Sequence, residues 1–238
     1  MSERFSVALV TDWNGTAGPV ICNALIQSGF SVFINGPQDI LFHLQQPSDV
    51  MGKILAQPFD TSNEKEVQET FLNCVNMLGA IDVLVNNNYF WNDAALEEIS
   101  ENMWDEVIDR GLKSTFYCCR AASRVMKAQG FGKIINVIST SAFNGDFTQF
   151  AASCSAIHSL TKSFAKSLAP EIRVNSVAPG LVDEPWIDEA GLRDTFTKDV
   201  PLKRLCTNDD IAEAVNYLAC GADFMTGQML VLDGGENL

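Results

Sequence analysis

Short apolar runs alternate with amphipathic stretches along the whole of this chain, and this alternation limits the folds open to it. Strand–helix–strand units close with right-handed crossovers, so the order predicts an α/β fold with a Rossmann-type doubly wound parallel sheet. No repeat or linker interrupts the pattern, and residues 1–238 are predicted to form a single domain. Strands are predicted at residues 6–10, 31–34, 54–59, 81–85, 134–138, 174–177 and 229–232. Helices are predicted at about 17–28, 62–78, 100–129, 150–170 and 187–198.

Charge and composition exclude several classes of partner. The net charge of −14 repels phosphate backbones, so we expect no nucleic acid partner. The sequence contains no run of eighteen apolar residues, so no membrane span is predicted. The opening MSERFSVALV lacks the basic-then-apolar order of a signal peptide. We therefore expect a cytoplasmic protein. The seven cysteines are scattered, no C-x-x-C occurs and only two histidines are present, so no metal site is predicted.

Five stretches resemble the short-chain dehydrogenase/reductase family, and the resemblance extends over essentially the whole chain. The resemblance implies an oxidoreductase that uses NAD or NADP and acts on a carbonyl or alcohol. It says little about which small-molecule substrate or ligand is bound. The stretches are IDVLVNNN (81–88), WDEVIDRGLKSTF (104–116), GKIINVIST (132–140), VNSVAPGLVDEPW (174–186) and PLKRLCTNDDIAEAVNYLACGADFMTGQMLVLDGG (201–235).

The catalytic set implied by the resemblance is asparagine, serine, tyrosine and lysine. Tyrosine acts as general acid or base, lysine lowers its pKa, and serine orients the substrate carbonyl. Only the serine is retained, as Ser139, with Ser141 able to share its place. The other three positions are occupied by Gly111, Phe150 and Cys154. Phenylalanine cannot donate a proton and cysteine carries no positive charge, so the sequence predicts a degenerate site and a buried, inert thiol at Cys154.

The glycine-rich turn that should approach the cofactor diphosphate is also altered. The family pattern is T-G-x-x-x-G-x-G, and residues 11–18 read TDWNGTAG, so the first glycine is replaced by Asp12. A carboxylate near a diphosphate is unfavourable, which makes nucleotide binding doubtful. If a nucleotide binds at all, the resemblance assigns it to Thr11, Asn14, Gly18, Asp60, Asn86, Asn87, Pro179 and Gly180.

Further positions in the cleft leave alternatives open. The stretch Asn35-Gly36-Pro37 carries neither the acid of an NAD enzyme nor the arginine of an NADP enzyme. Asp60 matches an adenine-contacting aspartate, and it equally fits a strand-end cap. Trp13 and Tyr89 are predicted to fill part of the nucleotide cleft, unless the Tyr89 ring only covers a loop.

Three hypotheses for the function follow. The first is a degenerate family member with weak or no turnover and a binding or partner-subunit role. The second is an active NAD(P)(H)-dependent reductase or dehydrogenase with a rearranged site built on Ser139. The third is a lyase similar to halohydrin dehalogenases, whose altered turn resembles TDWNGTAG and NNNYF, although Phe150 and Cys154 break that set too.

Assembly is expected from the same resemblance. Family members pair long helices across two-fold axes, and the helix predicted from residue 150 is rich in alanine, serine and cysteine. Small residues allow close helix approach. We therefore expect a homodimer or homotetramer, or a hetero-oligomer with an active relative.

Overall fold

The computed structural model describes residues 6–13, 17–44, 52–88, 90–91 and 94–238. Its centre is a parallel sheet of seven strands in the order β3-β2-β1-β4-β5-β6-β7. This order reverses direction at β1, as two βαβ halves require, so the predicted doubly wound α/β fold is confirmed. The strands are β1 (Val7–Val10), β2 (Ser31–Ile34), β3 (Ile54–Ala56), β4 (Val83–Asn86), β5 (Gly132–Val137), β6 (Ile172–Pro179) and β7 (Met229–Leu232).

Helices cover both faces of the sheet. One face buries side chains such as Ile21 and Leu25 with Val215 and Leu218, and the other buries Phe71 and Met126 among others. Because β1, β4 and β5 lie between these two layers, they are buried along their whole length. The helices are α1 (Ala17–Gln27), α2 (Glu64–Leu78), α3 (Glu101–Val107), α4 (Ser114–Gln129), α5 (Ser141–Asn144), α6 (Thr148–Leu168), α7 (Pro185–Glu189), α8 (Arg193–Thr197) and α9 (Asn208–Cys220).

Several predicted boundaries are wrong. The third strand ends at Ala56 and not at residue 59, and the sixth extends over Ile172–Pro179. The cap of α2 is Asn63 and not residue 61 or 62, because its side chain accepts hydrogen bonds from the Lys65 and Glu66 backbone N–H groups.

The long helix predicted for residues 100–129 is divided by a π-helical turn. The turn spans Ile108–Lys113 between α3 and α4, and Gly111 lies within it. Ser114 donates to the carbonyls of Arg110 and Gly111, which lie four and three residues before it. π-Helical turns inside helices occur often at functional sites, and this one places residue 111 against α6.

The single helix predicted for residues 187–198 is two short helices, α7 and α8. Gly191 lies between them with φ of 66°, a left-handed conformation that ends a helix and favours glycine. In the described part of the chain, no helix combines the length and hydropathy that a membrane-spanning helix needs. Within the same residues, no group of three histidine, cysteine, aspartate or glutamate side chains is arranged to hold a metal ion.

Candidate functional site

The topology brings most of the predicted site residues to the carboxyl edge of the sheet. Thr11 follows β1, Asn86 ends β4, Ser139 follows β5, and Pro179 ends β6. Hydrogen bonds link these strand ends: Thr140 N donates to Pro179 O at 2.9 Å, and Asn87 N donates to Thr11 Oγ1 at 3.1 Å. This edge is where doubly wound sheets bind their ligands.

Phe150 and Cys154 lie in a small apolar cluster at this edge. They are one turn apart on α6, and their exposed fractions are only 5% and 1%. The cluster has six buried members, and the Cys154 thiol is their only ionisable group. They are Val107, Ile138, Phe150, Cys154, Ile157 and Ala178. A hydrocarbon layer therefore occupies the place that the resemblance gives to a proton relay.

The Cys154 thiol is not poised for reaction. Burial raises the pKa of Cys154 to about 12, and a backbone hydrogen bond from Ser139 opposes this rise only in part. Because the thiolate is the nucleophilic form, a thiol with this pKa stays protonated and unreactive near neutral pH. The predicted burial of Cys154 is confirmed, and its lack of reactivity stays a prediction.

Ser139 keeps its place at the end of β5, but its hydroxyl is engaged locally. Ser139 Oγ accepts a hydrogen bond from Ser141 N at 3.2 Å and lies 3.1 Å from Ser141 Oγ. Both side chains are buried. The pair holds two hydroxyl protons and uses one of them in its mutual bond, so one O–H group remains able to donate to a ligand oxygen.

A side chain at residue 111 would meet the hydroxyl of Ser153. A Cβ atom built on it would lie 2.6 Å from Ser153 Oγ, which is well inside van der Waals contact. The serine on α6 thus occupies the space into which a side chain at residue 111 would project.

The turn after β1 is held by side-chain amides. Thr11 Oγ1 donates to Asn88 Oδ1 at 2.8 Å, and Asn87 Nδ2 donates to Asp12 O at 3.2 Å. Asn35 Nδ2 donates to Thr11 O at 2.6 Å, while Asn35 Oδ1 accepts from Phe59 N at 2.9 Å. Asn35 therefore joins the ends of β1, β2 and β3, and both ends of its amide are already used.

The Trp13 side chain lies on the stretch after β2. A Cβ atom built on Gly36 would lie 3.0 Å from Trp13 Cβ and 2.9 Å from Ile40 Cδ1. Gly18 is equally crowded, because a Cβ there would lie 2.6 Å from Asp12 O and 2.8 Å from Trp13 O. Gly36 lets the Trp13 side chain pack where a nucleotide ribose would be selected, and Gly18 lets α1 approach the backbone of the turn after β1.

The remaining predicted cofactor positions have mostly structural contacts. Asn86 is buried and donates to Asn136 Oδ1 at 2.8 Å, in the sheet interior. Asp60 Oδ1 accepts from Ser62 N and Ser62 Oγ at 2.8 and 2.7 Å, in a turn four residues after β3 ends at Ala56, and its adenine contact stays a prediction. Asn14 and Tyr89 lie outside the described residues.

Acidic side chains gather around Gly180. A Cβ there would lie 3.2 Å from Asp233 Cβ and 3.3 Å from Glu236 Oε2. Burial raises the pKa of the Glu236 carboxyl, and the charges of Asp233, Asp146 and Asp199 raise it further. The electrostatic surroundings of the Pro-Gly turn are therefore negative, which disfavours an anionic ligand there.

Two contacts of the site were missed in the sequence. The sequence shows Asn35 only as a residue that does not select the ribose, and Ser153 only as one of the small residues of the helix predicted from residue 150. A polar amide directly after an apolar strand is a signal for a bridging role of Asn35. No sequence signal pairs Ser153 with Gly111, because the π-helical turn sets that contact.

Comparisons with known proteins agree with this architecture. A family described as enoyl-(acyl carrier protein) reductase matches residues 16–237. The 3-oxoacyl-[acyl-carrier-protein] reductase FabG of Staphylococcus epidermidis is 33% identical over 237 residues, which cover 96% of this chain and 97% of that protein. Nodulation protein G of Azospirillum brasilense is 32% identical over 246 residues, covering 100% and 99%.

A solved structure shows the same fold over nearly the full length. A short-chain type dehydrogenase/reductase from Mycobacterium ulcerans superimposes with a TM-score of 0.89 at 25% identity, covering 99% of this chain and 91% of the other. The family match, the relatives and the fold agree with one another. The chain belongs to the short-chain dehydrogenase/reductase family, an oxidoreductase family whose members generally use NAD(P)(H).

Proposed function

We propose that this chain has weak or no hydride-transfer activity and acts as a ligand-binding or partner subunit. The observation that carries the proposal is the buried apolar cluster of Phe150 and Cys154 at the edge of the sheet. General acid–base assistance is typically worth ~10²–10⁴-fold in rate, and neither residue can supply it.

The turn after β1 supports the proposal from the cofactor side. Asn35 has both ends of its amide engaged, and the Trp13 side chain lies against Gly36. A nucleotide would have to displace these contacts and approach the carboxylate of Asp12. Asn35 provides no group that selects NAD over NADP. We therefore expect both nucleotides to bind with similarly weak affinity.

The test measures binding and turnover separately on the purified protein. NADH and NADPH are titrated while nucleotide fluorescence is followed, and nucleotide oxidation is then measured against a panel of ketones and aldehydes. We expect no turnover above the buffer rate. The Phe150→Tyr/Cys154→Lys double variant tests restoration, and Phe150→Tyr alone is its matched control because it lacks the cation.

A second candidate is an active reductase with a rearranged site. The Ser139–Ser141 hydroxyl pair at the end of β5 favours it, since one O–H group there can still polarise a carbonyl. Wild-type turnover that is abolished in Ser139→Ala would establish this candidate and overturn the first.

We also propose that the chain assembles with itself, or with an active relative. The rings of Phe116 on α4 and Phe164 on α6 stack at 6.2 Å, and neither ring is fully buried within one chain. Ser155 and Ser159 on α6 are exposed and allow close approach of a second helix. Light scattering tests this, and a monomer at all concentrations of the pure protein would contradict self-assembly.

A further inference from the structure

Two aromatic side chains contact each other at the surface and are open to solvent. The ring centroids of Trp91 and Phe147 lie 5.2 Å apart, and the ring planes are inclined at 56°. The exposed fractions of these residues are 39% and 43%. Burial of apolar surface is favourable, so a pair of neighbouring exposed rings needs an explanation. An inclined pair can present two π faces to one ligand, and we call these two residues the aromatic pair.

The aromatic pair adjoins the candidate site. Gly145 N donates to Ser141 O at 3.2 Å, two residues before Phe147. Phe90, the chain neighbour of Trp91, packs against the small apolar cluster at the carboxyl edge of the sheet. Both members of the pair are therefore attached, through their chain neighbours, to the hydroxyl pair and the apolar cluster described above.

The backbone holds Phe147 in an unusual conformation. Its φ and ψ are 60° and 84°, in a left-handed region that bulky residues rarely adopt. Ala151 N donates to Phe147 O at 2.8 Å, so the same residue starts α6. Strained residues of this kind are common at ligand clamps. The Phe147 ring is thus kept against Trp91 at a conformational cost.

Carboxylates without a cationic partner lie at the same edge. Asp146 directly precedes Phe147 in the chain. Burial raises the pKa of the Glu236 carboxyl, and the charges of Asp233, Asp146 and Asp199 raise it further, so these groups lie within electrostatic reach of one another. In the described part of the chain, no lysine, arginine or histidine forms an ion pair with Asp146, Asp199 or Glu236. The N-terminus of α6 opposes them with only about half a positive charge. The local field therefore favours a cation.

We propose that the aromatic pair and Asp146 bind a small organic cation with a methylated ammonium group. Ring faces attract such a cation, and the methyl groups contact the apolar carbon of the rings. An ammonium group without methyl groups is more strongly hydrated and suits exposed rings less well. The Asp146 carboxylate adds a charge of opposite sign beside the rings. The inference rests on the ligand-binding role proposed above and adds the class of ligand.

An NMR titration of the full-length protein tests the proposal. Choline is the probe, and its neutral isostere dimethylbutanol, in which carbon replaces nitrogen, is the control ligand. The indole N–H resonances of the four tryptophans are followed. We expect choline to shift the Trp91 resonance with a Kd in the millimolar range. Each exposed ring contributes about two- to five-fold through its cation–π contact, so dimethylbutanol should bind about five- to twenty-five-fold more weakly.

Variants separate the rings from the charge. Trp91→Leu should weaken choline binding about two- to five-fold, as followed by the choline methyl signal. Asp146→Asn should weaken binding of choline and leave that of dimethylbutanol unchanged. The matched controls are Trp104→Leu and Asp105→Asn on α3, where Trp104 has the same exposed fraction of 39% and Asp105 is exposed. Neither control should change the affinity for choline.

Equal affinities for choline and dimethylbutanol would overturn the proposal, because the surface would then be only apolar. Unchanged choline binding in both Trp91→Leu and Asp146→Asn would also overturn it, as would equal losses in the α3 controls. If Trp91→Leu fails to fold, Phe147→Leu removes the other ring and should weaken choline binding by a similar factor. Failure of choline to bind would leave the proposed loss of hydride transfer intact. Oxidation of NADPH by a ketone would overturn that loss and leave the cation site intact.

Discussion

Gly111 lies directly against the side chain of Ser153, so that a Cβ atom on residue 111 would stand 2.6 Å from Ser153 Oγ. The first belongs to the π-helical turn after α3 and the second to α6. Residue 111 is where the family resemblance places a catalytic asparagine. The Ser153 hydroxyl therefore occupies the space that a side chain at residue 111 would need. Restoring the asparagine alone would bring its Cβ atom into collision with that hydroxyl.

This contact predicts coupling between the two positions. Gly111→Ala gains about 0.5–1 kcal/mol of helix propensity and loses it again to the collision with Ser153. In a Ser153→Ala background the collision is absent, and we expect the gain to appear as a higher free energy of unfolding. Denaturant unfolding of the two single variants and the double variant measures a coupling of about 1 kcal/mol. Purely additive effects would show that Ser153 rotates away without cost.

Replacement of the buried Gln149 by an apolar residue is expected to stabilise the protein. Its side chain is fully buried next to Phe150, and neither Nε2 nor Oε1 has a hydrogen-bond partner among the residues that the structure describes. Leaving a polar group buried and unpaired costs about 1–3 kcal/mol, whereas an apolar side chain of similar size avoids that cost. We expect Gln149→Leu to raise the midpoint of urea unfolding by an amount equivalent to about 1–2 kcal/mol.

Gln129→Leu is the control for this prediction and should act in the opposite direction. Gln129 Oε1 accepts from Ile81 N at 3.0 Å, and Gln129 Nε2 donates to Ile81 O at 3.0 Å. Its removal leaves the Ile81 backbone groups without these partners and should lower stability by about 1–3 kcal/mol. If both variants destabilise the protein equally, Gln149 is held by a buried water.

The cysteines predict a simple reactivity pattern. Cys220 is the one exposed thiol of the seven in the chain. With a pKa of about 12, Cys154 is a thiolate in roughly one molecule in ten thousand at pH 8. Dithionitrobenzoate should therefore label one cysteine rapidly in the native state and seven in guanidinium. Cys220→Ser should remove the rapid phase, while rapid labelling of Cys154 would contradict its burial.

The sequence predicted the parts of the site that depend on residue type. The family resemblance alone predicted an apolar side chain at Phe150 and an uncharged one at Cys154 in place of the catalytic pair. The order of strands and helices placed both residues at the carboxyl edge of the sheet. The structure adds that both are buried in one cluster. Whether loss of the relay abolishes turnover stays a prediction.

The parts that were missed depend on geometry that no local pattern encodes. The π-helical turn at Gly111 arises where α3 and α4 pack on α6, and helix propensity alone predicts an uninterrupted helix there. Gly191 separates α7 from α8 because it adopts a left-handed conformation, which the local helix pattern does not reveal. Asn35 bridges three strand ends, which become neighbours only after the sheet has formed.

Asp210 predicts a pH dependence of stability. The Arg204 guanidinium, followed by hydrogen bonds from Thr207, holds the pKa of the Asp210 carboxyl well below its usual range. A group with a depressed pKa in the folded state stabilises the protein above its unfolded pKa near 4, and this contribution fades as the pH falls further. Thr207 and Asp210 also form the capping box of α9.

Asp210→Ala should therefore lower the free energy of unfolding by about 1 kcal/mol at pH 7. The difference from wild type should shrink as the pH falls below 4, because the wild-type carboxylate is then being protonated. Urea unfolding at several pH values measures it. Asp209→Ala, which changes an exposed residue in the same turn, should show a smaller and flatter difference. A constant gap between wild type and Asp210→Ala from pH 7 to pH 2 would mean that the charge is irrelevant.

Removal of the Trp13 side chain is expected to lower stability and to improve nucleotide access. Its side chain is partly buried against Gly36 and Ile40, so Trp13→Ala should cost about 1–3 kcal/mol of stability. The same change uncovers the surface after β2 where a nucleotide ribose would lie. We expect the Kd for NADH to fall at least tenfold relative to wild type, as followed by the fluorescence of the nucleotide. Trp104→Ala removes another partly exposed tryptophan, on α3, and should leave the Kd unchanged. A folded Trp13→Ala protein with wild-type affinity would show that the carboxylate of Asp12 or the amide network of Asn35, and not the indole ring, opposes the cofactor.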